Sequence, residues 1–259
     1  MLSTLLLPGL GLFIGAVAVT IGGGATAGVP LLLLMGHSGA QSIATIKFAL
    51  LGSFVTGALA HRAAGADAAG ADAAEPVRLP WVTWPLAVVG SVSGSLLVVG
   101  VADRVLKVAV ALLMIVILWA THRTDFSQRA RNAQARLPPA PVGVAVIFGL
   151  CMYSGFFGAG FGTFLILALM RCYGLTFRES ALAMTRINLL AVGSSVLTFV
   201  SSGSIDFRLG VPLFVGCAAG GLLGAWVARV ADPKRMKTAF LVFTLLLGIK
   251  LLWEASRLS

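Results

Sequence analysis

No Asp, Glu, Lys or Arg occurs between Met1 and Ile46. A hydrocarbon core about 30 Å thick is crossed by roughly 20 apolar residues in a helix, so this stretch is long enough for two passes. Further charge-free runs lie at Leu79–Ala102, Val108–His122, Pro141–Met170, Ile187–Ile205 and Leu209–Ala228. A soluble core has no use for so many.

Only 11% of residues are charged and 58% are hydrophobic, against about 25% charged in an average soluble domain. The chain is read as an all-α polytopic membrane protein. Its net charge of +10 does not indicate nucleic acid, because the basic residues cluster between apolar runs, as orientation signals do. Cys151, Cys172 and Cys217 stand alone, without the spacing of a disulfide framework or a zinc site. The start, MLSTLLLPGLG, lacks a basic leader region and a clear cleavage site, so it is read as a retained first helix.

Breaking the runs at Gly, Pro and charge clusters gives ten segments, near 2–20, 25–36, 41–60, 80–100, 105–121, 141–157, 161–171, 179–200, 209–229 and 238–253. The second and seventh are too short to span at 1.5 Å per residue. Each follows a glycine cluster and is expected to be half of a broken or re-entrant element, so 8–10 segments are expected to meet the membrane. With the N-terminus outside, eleven basic residues fall in inside loops, and four (Arg104, Lys107, Arg208 and Arg257) fall outside. The positive-inside rule favours this orientation. Residues 61–79 are Ala/Gly-rich and read as a linker; the basic loop 122–140 divides a first membrane repeat (1–121) from a second (141–259).

The halves resemble each other. GGGATAGVPLLLLMG followed by IATIKFALLGSFVTGAL is answered by GAGFGTFLILALM followed by LAMTRINLLAVGSSVLTF. Gly23 and Thr26 align with Gly160 and Thr163, while Thr45 and Lys47 correspond approximately to Thr185 and Arg186. Five segments per half, an odd number, predict inverted copies, a recurring transporter plan. Were the glycine breaks not to reverse the chain, the copies would be parallel.

Gly22-Gly23-Gly24, then Gly28-Val29-Pro30-Leu31-Leu32-Leu33-Leu34 and Ala44-Thr45-Ile46-Lys47 resemble motifs of the sulfite exporter TauE/SafE family. Gly158, Gly160, Gly162 and Thr185-Arg186 resemble its second repeat. Ile46 stands where many members carry Asn, Arg186 where Lys is commoner, and Leu167 where Pro could stand. The resemblance implies an inner-membrane permease, an exporter of sulfite, a sulfonate or a related organosulfur compound.

Lys47 and Arg186 are the sharpest candidates. A Lys or Arg at a helix centre costs about 2.5–3.5 kcal/mol on insertion scales, and no Asp or Glu lies in the interior of any segment to compensate, Glu179 being nearest, seven residues before Arg186. A bound anion would supply the partner; the competing readings are snorkelling to the interface and bonding to carbonyls of a broken helix. The clusters Gly22, Gly23, Gly24 and Gly158, Gly160, Gly162 open short helices, whose exposed N–H groups favour anions. Thr26, Thr45, Thr163, Thr185 and Asn188 are added as hydrogen-bond donors for oxyanion oxygens. The pairs Gly11/Gly15, Gly90/Gly94 and Gly220/Gly224 are read instead as helix packing.

The function expected is secondary transport of a small anion by alternating access, with loss of transport on replacing either cation. No nucleotide-binding loop of Walker type occurs. The alternatives are an anion channel, a membrane subunit without transport of its own, or an intramembrane serine enzyme; for the last, His37, His61 and His122 fall at segment ends or in loops, away from Ser93, Ser154 and Ser194. The expected partners are a small anionic substrate and the lipid bilayer of a bacterial-type inner membrane, with no nucleic acid and no cofactor. Assembly into a homo-oligomer is left open.

Overall fold

The computed structural model describes residues 2–21, 23–68, 79, 81–123, 140–230, 246 and 250. Among them are nine helices: α1 (Leu2–Ile21), α2 (Gly24–Leu34), α3 (Gly39–Ala68), α4 (Thr83–Gly100), α5 (Asp103–Arg123), α6 (Ala140–Phe156), α7 (Phe161–Tyr173), α8 (Phe177–Ser201) and α9 (Phe207–Val230). Four contain a stretch long and apolar enough to cross a membrane: Gly39–Ala60, Thr83–Gly100, Leu182–Ser201 and Phe207–Val227. Backbone groups cannot be satisfied by lipid, which is why these apolar runs are helical throughout. The chain is a polytopic helical membrane protein. Most of the tenth segment, near 238–253, and most of the 122–140 loop lie outside the described residues.

The short second and seventh segments are present as α2, 11 residues, and α7, 13 residues. At 1.5 Å per residue they extend about 16 and 20 Å, well short of a bilayer core of roughly 30 Å. Residues 61–68, expected to belong to a linker, are helical, because α3 continues to Ala68; the alanines of HRAAGADA favour helix strongly enough to extend it. At the start of α8 a capping box explains why the helix opens before residue 179. Thr176 Oγ1 accepts from the Glu179 amide at 3.3 Å, and Glu179 Oε2 accepts from the Thr176 amide at 2.7 Å.

The helices pair across the two halves. The first helix of each packs on the fourth of the other: α1 on α9, and α6 on α4. Both contacts run parallel and are made by glycine. A Cβ on Gly11 or Gly15 would overlap backbone between Leu213 and Cys217, while Gly216, Gly220 and Gly224 press on the carbonyls of Pro8, Leu12 and Ala16. On the other side Gly90 and Gly94 press on the carbonyls of Phe148 and Met152, and Gly155 on that of Ser91. The packing role expected of Gly11/Gly15, Gly90/Gly94 and Gly220/Gly224 is therefore present, and close approach is what small residues give helices in lipid.

The third helices meet in the middle. α3 packs on α8, and its contacts ascend along α3 as they descend along α8. Thr45 Oγ1 accepts from the Asp206 amide just beyond α8, and Lys47 reaches Ser195, whereas Leu50 and Phe54 share a cavity with Asn188 and Val192. The two helices are antiparallel. The turn before α3, the start of α5 and the turn before α9 share one end of the bundle, tied by Gly39 to Asp103 and by Gln41 to Asp206.

Candidate functional site: a buried lysine between two helix breaks

The site begins with two places where a membrane helix cannot continue. After α1 the chain passes through Gly23 (φ −102°) and restarts at Gly24. After α6 it turns through Gly158 (φ +78°) and Gly160 (φ +70°), and α7 starts at Phe161. Positive φ requires glycine at the second break. At the first, the requirement is space, since a Cβ on Gly24 would meet Ala18 and Leu50 side-chain atoms at 2.6 Å.

Between the breaks lies a cavity of about 30 Å³, lined by Gly24 and Ala25 of α2, Lys47, Leu50 and Phe54 of α3, Ser154, Phe157 and Gly158 around the end of α6, and Asn188 and Val192 of α8. A single water needs about 10–15 Å³ by this kind of measure, so the space suits a water or two and no larger solute.

Lys47 is 3% exposed. Its Nζ donates to the carbonyls of Ser154 and Gly155, the latter at 2.6 Å, and to Ser195 Oγ at 2.9 Å. The Phe199 ring lies 5.8 Å from Nζ, within cation–π range. An ammonium has three N–H donors, and all three are engaged. Helix C-terminal carbonyls carry partial negative charge, so the last turn of α6 solvates the ammonium without cancelling its charge. This realises the broken-helix carbonyl reading of Lys47, while its side chain also lines the cavity.

The network extends beyond Lys47. Ser95 Oγ lies against Ser195 Oγ and donates to the Ser91 carbonyl at 2.9 Å; Ser91 Oγ donates to the Ala191 carbonyl. All three serines are fully buried. Because the lysine donates to Ser195 Oγ, the Ser195 proton is directed on to Ser95. None of these serines stood out in the sequence; the signal was there as SVSGS within an apolar run and GSS in its counterpart.

The other predicted residues are distributed unevenly. Asn188 is 8% exposed and lines the cavity; its carboxamide has no hydrogen-bond partner among the described residues. Arg186 is exposed and does not line the cavity. Thr45 is buried and held by Asp206, and Thr185 is half-buried. Gly24 and Gly158 line the cavity, Gly23 and Gly160 cap α2 and α7, and Gly162 approaches Met184. Thr26 is fully buried in the first turn of α2, its hydroxyl unpartnered, and Thr163 is half-buried on α7. Gly22 lies outside the described residues.

The third helices of the two halves can be set in register by sequence. Superposing Gly52-Ser53 on Gly193-Ser194 carries Ile46 to Ile187 and Lys47 to Asn188, with Thr45 falling on Arg186. In this register Lys47 and Asn188, which line the same cavity, occupy matching positions. This register is an alternative to the approximate correspondence of Lys47 with Arg186.

Comparison with known proteins agrees with the architecture. The chain is 26% identical over 248 residues to the probable membrane transporter protein YfcA of Escherichia coli (strain K12), covering 94% of this chain and 86% of that one. It is 24% identical over 243 residues to a probable membrane transporter protein of Haemophilus influenzae, covering 93% and 90%. No solved structure matches significantly. The family model described as sulfite exporter TauE/SafE matches residues 7–251, nearly the whole of the chain, and the chain belongs to that family of membrane transporters.

Proposed function

We propose that this chain is a secondary transporter of a small anion, such as sulfite, a sulfonate or a related organosulfur compound, working by alternating access around the Lys47 cavity in a bacterial-type inner membrane. The observation that carries this reading is a buried ammonium, with no carboxylate paired to it among the described residues, facing a cavity between two helix breaks. Desolvating such a charge costs several kcal/mol. Backbone carbonyls offset part of that cost, and an oxyanion would offset more.

Substrate binding then has a defined geometry. With all three N–H groups of Lys47 engaged, an anion displaces at least one acceptor. A cavity of about 30 Å³ also has to widen, which couples binding to movement of α2, α6 and α8. The α2 N-terminus at Gly24 adds N–H groups of the kind that bind anions. The antiparallel α3 and α8, with α1·α9 and α4·α6 pairing in the same sense, support the inverted-repeat arrangement, in which the halves exchange conformations to open the site to either side. Export as the direction, and an outside N-terminus, extend the family's description and the distribution of basic loops.

The test is flux in proteoliposomes holding only the purified chain, with sulfite, sulfate, taurine, sulfoacetate and simple carboxylates, at several pH values. Saturable flux of one or more anions is expected. An absence of anion flux, or single-channel conductance in place of carrier rates, would overturn the proposal.

A further inference from the structure

We infer that the anion carried is a monoanion, and that Asn188 is the residue that fixes this charge. The inference rests on the anion-transport reading above and adds the charge class of the substrate.

Charge can be counted around the cavity. Lys47 is the one charged side chain among the residues that line it. Each helix break brings a C-terminus and an N-terminus together: α1 and α2 at the first, α6 and α7 at the second. A helix end carries about half an elementary charge, positive at the N-terminus and negative at the C-terminus, so the two ends at a break nearly offset. The cavity is left with one positive charge. A monoanion neutralises it; a dianion would leave a buried net negative charge in surroundings that include Leu50, Phe54, Phe157 and Val192, where an uncompensated charge costs several kcal/mol.

Position 188 is where a second cation would stand. Asn188 is the repeat counterpart of Lys47 in the Gly52–Gly193 register, lines the same cavity, is more than nine-tenths buried and keeps an unpartnered carboxamide. A carboxamide offers NH2 donors for an oxyanion oxygen without adding charge. Two copies of one repeat therefore present one charged and one neutral donor to one ligand. Arg186, two positions earlier, is exposed and does not alter the count.

The test compares methanesulfonate, a monoanion, with sulfate, a dianion of similar size and the same sulfur–oxygen chemistry, in proteoliposomes at zero membrane potential. The wild type is expected to carry methanesulfonate at least ~10-fold faster, and Asn188→Lys to shift that ratio toward sulfate by ~10-fold or more, the equivalent of one lost or gained charge-assisted hydrogen bond. Asn188→Gln, which keeps the amide, is expected to leave the preference for the monoanion in place. Should Asn188→Lys fail to insert, wild-type sulfite flux against pH decides: it should follow the hydrogensulfite fraction, rising as pH falls. Sulfate flux equal to methanesulfonate flux and still dependent on Lys47, or sulfite flux that follows the dianion, would overturn the charge assignment and leave anion transport standing. Failure of every anion tested would overturn the transport reading itself.

Discussion

Lys47 Nζ stands 2.9 Å from Ser195 Oγ, a bond that joins the third helix of one half to the third helix of the other. Through it the cation is tied both to the α6 carbonyls and, by way of Ser95, to α4. Removing the hydroxyl leaves an ammonium donor without its acceptor in a buried place. Ser195→Ala is expected to lower stability by about 1–3 kcal/mol, seen as a lower unfolding midpoint in detergent. Ser194→Ala, whose hydroxyl bonds only the Ala191 carbonyl one turn back on its own helix, is expected to have little effect.

Helix packing gives a second prediction. A Cβ at Gly94 would strike the Met152 carbonyl and lie 2.8 Å from the Phe156 amide, whereas one at Gly149 would meet nothing within 4 Å. Gly94→Ala is expected to destabilise the α4·α6 contact by about 1–3 kcal/mol, the usual cost of overpacking. Gly149→Ala, in a helix interior with open space, is expected to stabilise by about 0.5–1 kcal/mol. Thermal unfolding of the two variants side by side separates these signs.

A pH dependence follows from Asp103, at the first residue of α5. Burial alone would raise its pKa, but the Gly39 amide and the Lys107 ammonium, 2.7 Å away, outweigh burial and hold the carboxyl below its ordinary range. A depressed pKa means that the stabilisation is complete above the ordinary carboxylate pKa and is lost as pH falls through the lower, folded-state value. Hydrogen exchange at the start of α3 is expected to quicken below about pH 4. In Asp103→Asn the exchange should be faster at neutral pH and lose that acid step.

Much of this arrangement was legible in the chain itself. Charge-free runs set the helices, and the two glycine clusters set where α2 and α7 begin. What the sequence hid was the facing of α8. Thr185-Arg186 looks like Thr45 followed by Lys47, and a charge was matched with a charge. Two positions are about 200° around a helix at 3.6 residues per turn, which is why Arg186 is exposed and Asn188 meets the cavity. The carbonyl partners of Lys47 were hidden for another reason. Ser154 and Gly155 contribute through their backbone, and residue identity says nothing direct about which carbonyls a broken helix leaves free.

The account rests on Lys47 as the group that meets the anion, and Lys47→Gln compared with Arg186→Gln tests it most directly. Both proteins are to be reconstituted at equal density and their saturable sulfonate flux measured. Loss of a charge-assisted bond to the substrate predicts a fall of ~10-fold to 100-fold for Lys47→Gln, with Arg186→Gln close to wild type because its side chain lies away from the cavity. Wild-type flux in inserted, folded Lys47→Gln would contradict the account.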